Sequence, residues 1–272
     1  MYNKISIRIA VIVFIIAGCS IVSGAQNNPT SKKGFVKLFN GKDFDGWHLK
    51  IKSGDEALAK KVYAIEDGMV HVFNDQFPNE YELNTGKNET HGLFYTNKKY
   101  SRYILRFEYK WGKKMANNFD QFQYDAGCYY HVVDDKIWPN GIEYQVRFDH
   151  TKNMNHTGDF WAGGLTWYSK DGNIFTAPSE GGQPVLGHGG EHLASPDAKS
   201  NNLNGKWNKC EVIVMGDEYV IHNLNGKLVN MATKLPFSEG IIGFQSETAE
   251  IFYRNIEIKE FTEDIPMEVF LK

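Results

Sequence analysis

The stretch Gly141-Ile-Glu-Tyr-Gln-Val-Arg-Phe-Asp149 sets an acid, an amide, a guanidinium and a second acid at alternate positions. In an extended strand side chains alternate faces, so Glu143, Gln145, Arg147 and Asp149 share one side. Ile142, Tyr144, Val146 and Phe148 share the other. Ordinary glycoside hydrolysis needs two carboxyl groups, one to protonate the leaving oxygen and one to act as base or nucleophile. Gln145 stands where a second carboxylate at two-residue spacing would be, so this strand alone does not supply the pair. Asp125 or Asp149 is then the partner for a conventional hydrolase. A solvated sheet face, on which Glu and Arg pair for little gain, is the competing structural reading.

Other residues of chemical interest lie apart from this strand. His131 alternates with Tyr129 and Val133 on the preceding extended stretch and is a candidate for the same cleft, or a hydrogen-bonded structural histidine. His188-Gly-Gly-Glu191-His192 offers two imidazoles and a carboxylate, a donor set for a divalent metal ion. The two glycines oppose a helix that would turn both rings to one side. Trp138, Trp161 and Trp167 lie near Gly and Pro turns and are candidate stacking platforms for the apolar face of a sugar, or else core and loop anchors. No P-loop, dinucleotide fingerprint or Gly-x-Ser-x-Gly is present, which removes those classes.

The elements that must carry these residues are strands. Hydrophobic residues make up 42% and aromatic residues 14% of the 272, enough for one large core. The net charge of -3 and the lack of a basic run exclude a nucleic-acid role. Lys4 and Arg8 precede an apolar run from Ile9 to Ala17, which predicts an export signal over residues 1–18. Ile16-Ala-Gly-Cys19 fits lipidation at Cys19, with Ser23-Gly-Ala25 as a competing cleavage site. Residues 19–34 form a small polar tether, and 35–272 a single domain. Asp67-Gly68 and Asn225-Gly226 predict tight hairpins. Only Asp55 to Lys61 carries a weak helical period, and Ser179 to Lys206 reads as a long loop. Many short strands without intervening helices predict an all-β, two-sheet antiparallel jelly-roll sandwich. Cys128 and Cys210 are either a disulfide or two buried thiols.

A series of short motifs along the domain resembles one family. Phe35-Val-Lys-Leu-Phe-Asn-Gly-Lys-Asp-Phe-Asp-Gly-Trp47, Glu143-Tyr-Gln-Val146, Gly205-Lys-Trp-Asn208, Leu224-Asn-Gly226, Gly240-Ile-Ile-Gly-Phe-Gln245 and Tyr253-Arg-Asn-Ile256 resemble, in order, motifs of the 3-keto-disaccharide hydrolase domain family. Where that family shows Asn-Ser-Gly, this chain has Asp125-Ala-Gly127. The resemblance implies a concanavalin A-like sandwich outside the cytoplasm, which with the leader predicts the periplasm or outer membrane, and action on glycosides oxidised at C3, by elimination and hydration or by direct hydrolysis. The ketone of such a sugar acidifies the proton at C2, so a single base can remove it while the aglycone leaves from C1. Glu143 is then the expected base, Gln145 and Arg147 steady the oxyanion, and Gln245 is an expected substrate contact. No cofactor beyond a divalent ion is implied, and an oxidoreductase acting at C3 is an expected upstream partner. A non-catalytic carbohydrate-binding module and a conventional glucan hydrolase remain the alternatives.

Overall fold

A computed structural model describes residues 32–81, 87–117, 124–195 and 203–271. The predicted leader, Cys19 and the tether up to residue 31 lie outside them. In chain order the strands are β1 (Val36–Lys37), β2 (Trp47–Ile51), β3 (Tyr63–Glu66), β4 (Met69–Val72), β5 (Gly92–Thr96), β6 (Arg102–Met115), β7 (Tyr124–Val132), β8 (Ile142–Asp149) and β9 (Met154–Asn155). They continue as β10 (Phe160–Trp161), β11 (Leu165–Ser169), β12 (Gln183–Gly187), β13 (Glu191–His192), β14 (Asn208–Met215), β15 (Tyr219–Leu224), β16 (Lys227–Thr233), β17 (Ile241–Ser246) and β18 (Ala249–Glu260). Among the described residues one α-helix, α1 (Glu56–Val62), lies between β2 and β3.

The strands form two antiparallel sheets, the jelly-roll sandwich that the strand pattern predicts. A ten-stranded sheet runs β12-β11-β16-β15-β14-β6-β18-β4-β3, with β1 beside β18. An eight-stranded sheet runs β13-β10-β8-β7-β17-β5-β2, with β9 beside β8. The turns obey local chemistry. Asp67 and Gly68 take φ of 49° and 77°, and Glu66 pairs with Met69 across them. Asp55 caps α1 by accepting from the Ala57 and Leu58 amides at 2.8 and 3.0 Å. Aromatic rings fill the space between the sheets. Phe244 of β17 stacks on Phe94 of β5 at 5.2 Å and meets Phe107 and Tyr253 of the other sheet at 5.1 and 5.3 Å. Cys128 and Cys210, one from each sheet, are buried in that core as free thiols.

Two local features differ from the sequence expectation. The segment read as a long loop contributes β12 to the edge of one sheet and β13 to the edge of the other. Strand β7 carries a bulge. Its Tyr129 pairs with Gly243 but its Val132 pairs with Ile241, so β7 spends one more residue than β17 over the same span. His131, at φ 50°, lies within that irregularity.

Candidate functional site

Ile142, Tyr144 and Val146 of β8 pack in the core between the sheets, which turns Glu143, Gln145 and Arg147 to the outer face of the eight-stranded sheet. On a solvated face these side chains would be exposed, yet they are only 3%, 4% and 4% exposed. The register builds a row across the strands from Trp161 on β10 through Glu143 on β8 and Tyr129 on β7 to Gly243 on β17. In the adjoining rows Gln145 pairs with Gly127 and Arg147 with Asp125. Gln245 of β17, and Glu247 just beyond it, follow Gly243 at two-residue steps. Gly127 is what lets the carboxyl in. A Cβ at that position would fall on the Glu143 carboxyl and lie 2.6 Å from Gln245 Oε1.

The amide at position 145 has a partner. Gln145 Nε2 donates to Asp125 Oδ1, so the second carboxyl comes from the neighbouring strand and Gln145 holds it in place. Asp125, Glu143 and Glu247 are all buried, with Arg147 as the guanidinium in their midst. Burial pushes the Glu143 carboxyl up to about 8, with the Asp125 charge adding to the rise. Tyr129, hydrogen-bonded to Glu143, and Arg147 oppose it. Burial likewise raises Asp125 to about 7 against the pull of Arg147 and the Gln145 hydrogen bond. Glu247 is pushed well above the usual carboxylate range by burial and by Asp125 and Glu143. Carboxyl groups poised near neutrality can exchange protons with a substrate.

Arg147 also organises a second group of polar side chains. Its Nη2 donates to Glu191 and lies 3.1 Å from His156 Nδ1 and 3.9 Å from Asp159 Oδ2. His156, Asp159 and Glu191 offer ligand atoms within 4.8 Å of one another, a donor set suited to a divalent ion. The guanidinium reaches the same atoms, so a cation already sits among them. His188 and His192 do not form the metal pair expected of them. On the two-residue strand β13 neighbouring side chains point to opposite faces. Glu191 therefore turns to Arg147, whereas His192 turns inward against Trp167 at 5.2 Å, with Nε2 3.2 Å from the Ala162 carbonyl. His188 stays exposed.

Three further expectations are corrected. His131 does not join Glu143: the β7 bulge inverts the alternation after Tyr130. Its Nδ1 lies 2.9 Å from the Phe237 carbonyl and its ring meets Tyr103 of the opposite sheet at 5.9 Å. Val132 takes the outer face instead, with Leu93, Tyr95 and Tyr129. Trp167, on β11 of the ten-stranded sheet, is 3% exposed in the core and presents no platform. Asp149 accepts from Thr151 and Lys152 amides and serves its own turn. Trp138 and Trp161, by contrast, are 54% and 48% exposed and flank a hollow of about 250 Å³ over Tyr129. Gln245 is 1% exposed and its Oε1 has no hydrogen-bond partner among the described residues. Glu247 continues the alternation of Gly243 and Gln245 and was readable from it. His156 and Asp159 lie in a turn with no period and were not.

No curated protein matches the chain significantly. Among solved structures, a Parabacteroides distasonis protein described as a glycosyl hydrolase shares 23% identity, covering 84% of this chain and 94% of its own, at a TM-score of 0.49. The Bacillus licheniformis beta-glucanase shares 10%, with 85% and 100% covered and a TM-score of 0.48. A Bacillus subtilis protein of galectin-like fold also shares 10%, with 85% and 96% covered and a TM-score of 0.48. The model of the 3-keto-alpha-glucoside-1,2-lyase-like domain family matches residues 34–259, and the chain belongs to this family of carbohydrate-active, glycosidase-type proteins.

Proposed function

We propose that the chain cleaves glycosides carrying a ketone at C3, by elimination across C1 and C2 followed by addition of water. The observation that carries this reading is the set of buried carboxyl groups around Glu143 on a sheet face that would otherwise be solvated. In the step itself, ionised Glu143 takes the proton from C2, the C2–H electron pair becomes the C1=C2 bond, and the C1–O bond breaks. The departing oxygen takes its proton from Tyr129, which recovers one from Glu143 through their shared hydrogen bond. The proton count then closes on the two side chains. Gln145 keeps Asp125 in register, and Arg147 lowers the charge of the cluster.

Asp125 favours a second reading, in which it and Glu143 act as the carboxyl pair of a conventional glycosidase on unmodified sugars. Incubating the protein with a glucoside and with its 3-keto derivative separates the two. Aglycone release from the keto form alone is the expected result. Release from the unmodified glucoside supports the pair, and binding without release supports a carbohydrate-binding module. The keto substrate requires an enzyme that oxidises a sugar at C3, and the leader with Cys19 supports a lipid-anchored location outside the cytoplasm. Labelling by a fatty acid that is lost in Cys19→Ser tests that placement.

A further inference from the structure

We propose that the hollow between Trp138 and Trp161 is a leaving-group subsite that accepts a flat ring, either an aryl group or the C–H face of a second pyranose. The inference rests on the reading of Glu143 as the group that takes the proton. Register places the hollow: Trp161 and Tyr129 are the two cross-strand neighbours of Glu143, and both line it. The hollow therefore lies across the strand that carries Glu143, and a ring bound in it is within about one strand spacing, roughly 5 Å, of the carboxyl. That is the offset between a sugar in contact with Glu143 and the substituent at its C1.

The walls suit a ring. Two half-exposed indoles bound the hollow, and such rings gain most from a flat apolar partner. On the Trp161 side the lining continues as Ala162, Gly163, Gly189 and Gly190, so bare backbone faces the space. A Cβ at Gly189 or Gly190 would meet nothing within 4 Å, so the mouth is open there. At about 250 Å³ the hollow falls below the ~300–1,000 Å³ of pockets that enclose a drug-sized ligand, which fits one ring and not an extended chain.

The opposite wall is fixed before any ligand arrives. The segment 133–141 that carries Trp138 folds back over β5 and β2. Tyr95 Oη donates to the Lys136 carbonyl at 2.7 Å, and His48 Nε2 lies 3.0 Å from Asp135 Oδ1. The Trp138 ring rests on buried His91 at 3.8 Å. A platform held at three points loses little freedom on binding, which favours recognition of a rigid ring.

The test compares the 3-keto derivatives of methyl glucoside, phenyl glucoside and a glucosyl-glucose disaccharide, using the parent, Trp161→Ala and Trp138→Ala. Phenol leaves more readily than methanol for chemical reasons alone, so the informative quantity is how each variant changes each substrate. The expected result is that Trp161→Ala lowers kcat/KM for both ring-bearing substrates at least tenfold more than for the methyl derivative, chiefly through KM. A loss confined to the phenyl substrate assigns the subsite to aryl groups, and one confined to the disaccharide assigns it to sugars. Equal losses on all three, or none, overturn the subsite while leaving the proposed reaction standing. If no keto-glycoside is turned over, that reaction fails, and tryptophan fluorescence titrated with phenyl glucoside and with the disaccharide decides the subsite. Quenching that Trp161→Ala removes upholds it, and unchanged fluorescence ends it.

Discussion

Glu143 is held uncharged by its surroundings, and that has a thermodynamic signature separate from its chemistry. Its carboxyl ionises near 4.5 in the unfolded chain and near 8 when folded, because burial and the Asp125 charge both disfavour the anion. Between those values the folded state holds a proton that the unfolded state has lost, so this group makes stability fall as pH rises. Glu143→Gln keeps the shape, removes the ionisation and gives Gln245 Oε1 a donor. The variant should lose about 10²–10⁴ of kcat, the usual worth of a positioned acid or base. In urea unfolding it should match the parent near pH 4.5 and exceed it above pH 8 by up to about 5 kcal/mol, at about 1.4 kcal/mol per pKa unit. A variant less stable than the parent at pH 8.5 would show instead that the carboxylate is ionised and paired. The parent's kcat/KM should rise about tenfold per pH unit below 8 and then level, as expected for a base that must first ionise. A profile that falls over that range would make Glu143 the acid.

Strand β7 shows how an element decides which side chains reach the site. Alternation read from the sequence put Tyr129, His131 and Val133 on one face, and it was right until the bulge. One extra residue moves His131 to the core side and brings Val132 out beside Tyr129. Nothing in Cys128-Tyr-Tyr-His-Val-Val133 announces the bulge, since it arises from pairing with β17, a strand more than a hundred residues later. The same limit hid the Arg147 cluster, whose members come from β8, a turn and β13. What was legible was local: Glu143, Gln145 and Arg147 on one face by period, and hairpins at Asp-Gly and Asn-Gly by backbone preference. His131→Ala should therefore act on folding and not on turnover. Loss of a buried ring and its bond to the Phe237 carbonyl should cost about 2–4 kcal/mol in urea unfolding. The kcat of the folded fraction should stay within about threefold of the parent. A hundredfold loss of kcat in fully folded protein would return His131 to the site.

At the scale of the molecule, the site and the core share the same strands. On β17 Phe244 points between the sheets while Gln245 points to the carboxyl cluster, so one backbone serves both. Phe244 is also where the sheets meet. Its ring touches Phe94 and Trp47 of its own sheet and Phe107 and Tyr253 of the other. The strands paired on either side, β5 and β7, carry Tyr95 and Tyr129 on the outer face. The polar cluster therefore has no support independent of the sandwich, and activity should be lost with global unfolding, not before it. Phe244→Ala opens a cavity between two sheets that cannot collapse onto each other without moving many strands, so it should cost about 3–5 kcal/mol. Phe244→Leu, which fills most of the volume, should cost less than half of that. In urea titrations of parent and both variants, the midpoints by tryptophan fluorescence and by residual activity should coincide and shift together. Activity that disappears at a clearly lower urea concentration than fluorescence would show that the segment 133–141 over β5 and β2 opens by itself. The platform under Trp138 would then be mobile, and the ring subsite would form only when its ligand binds.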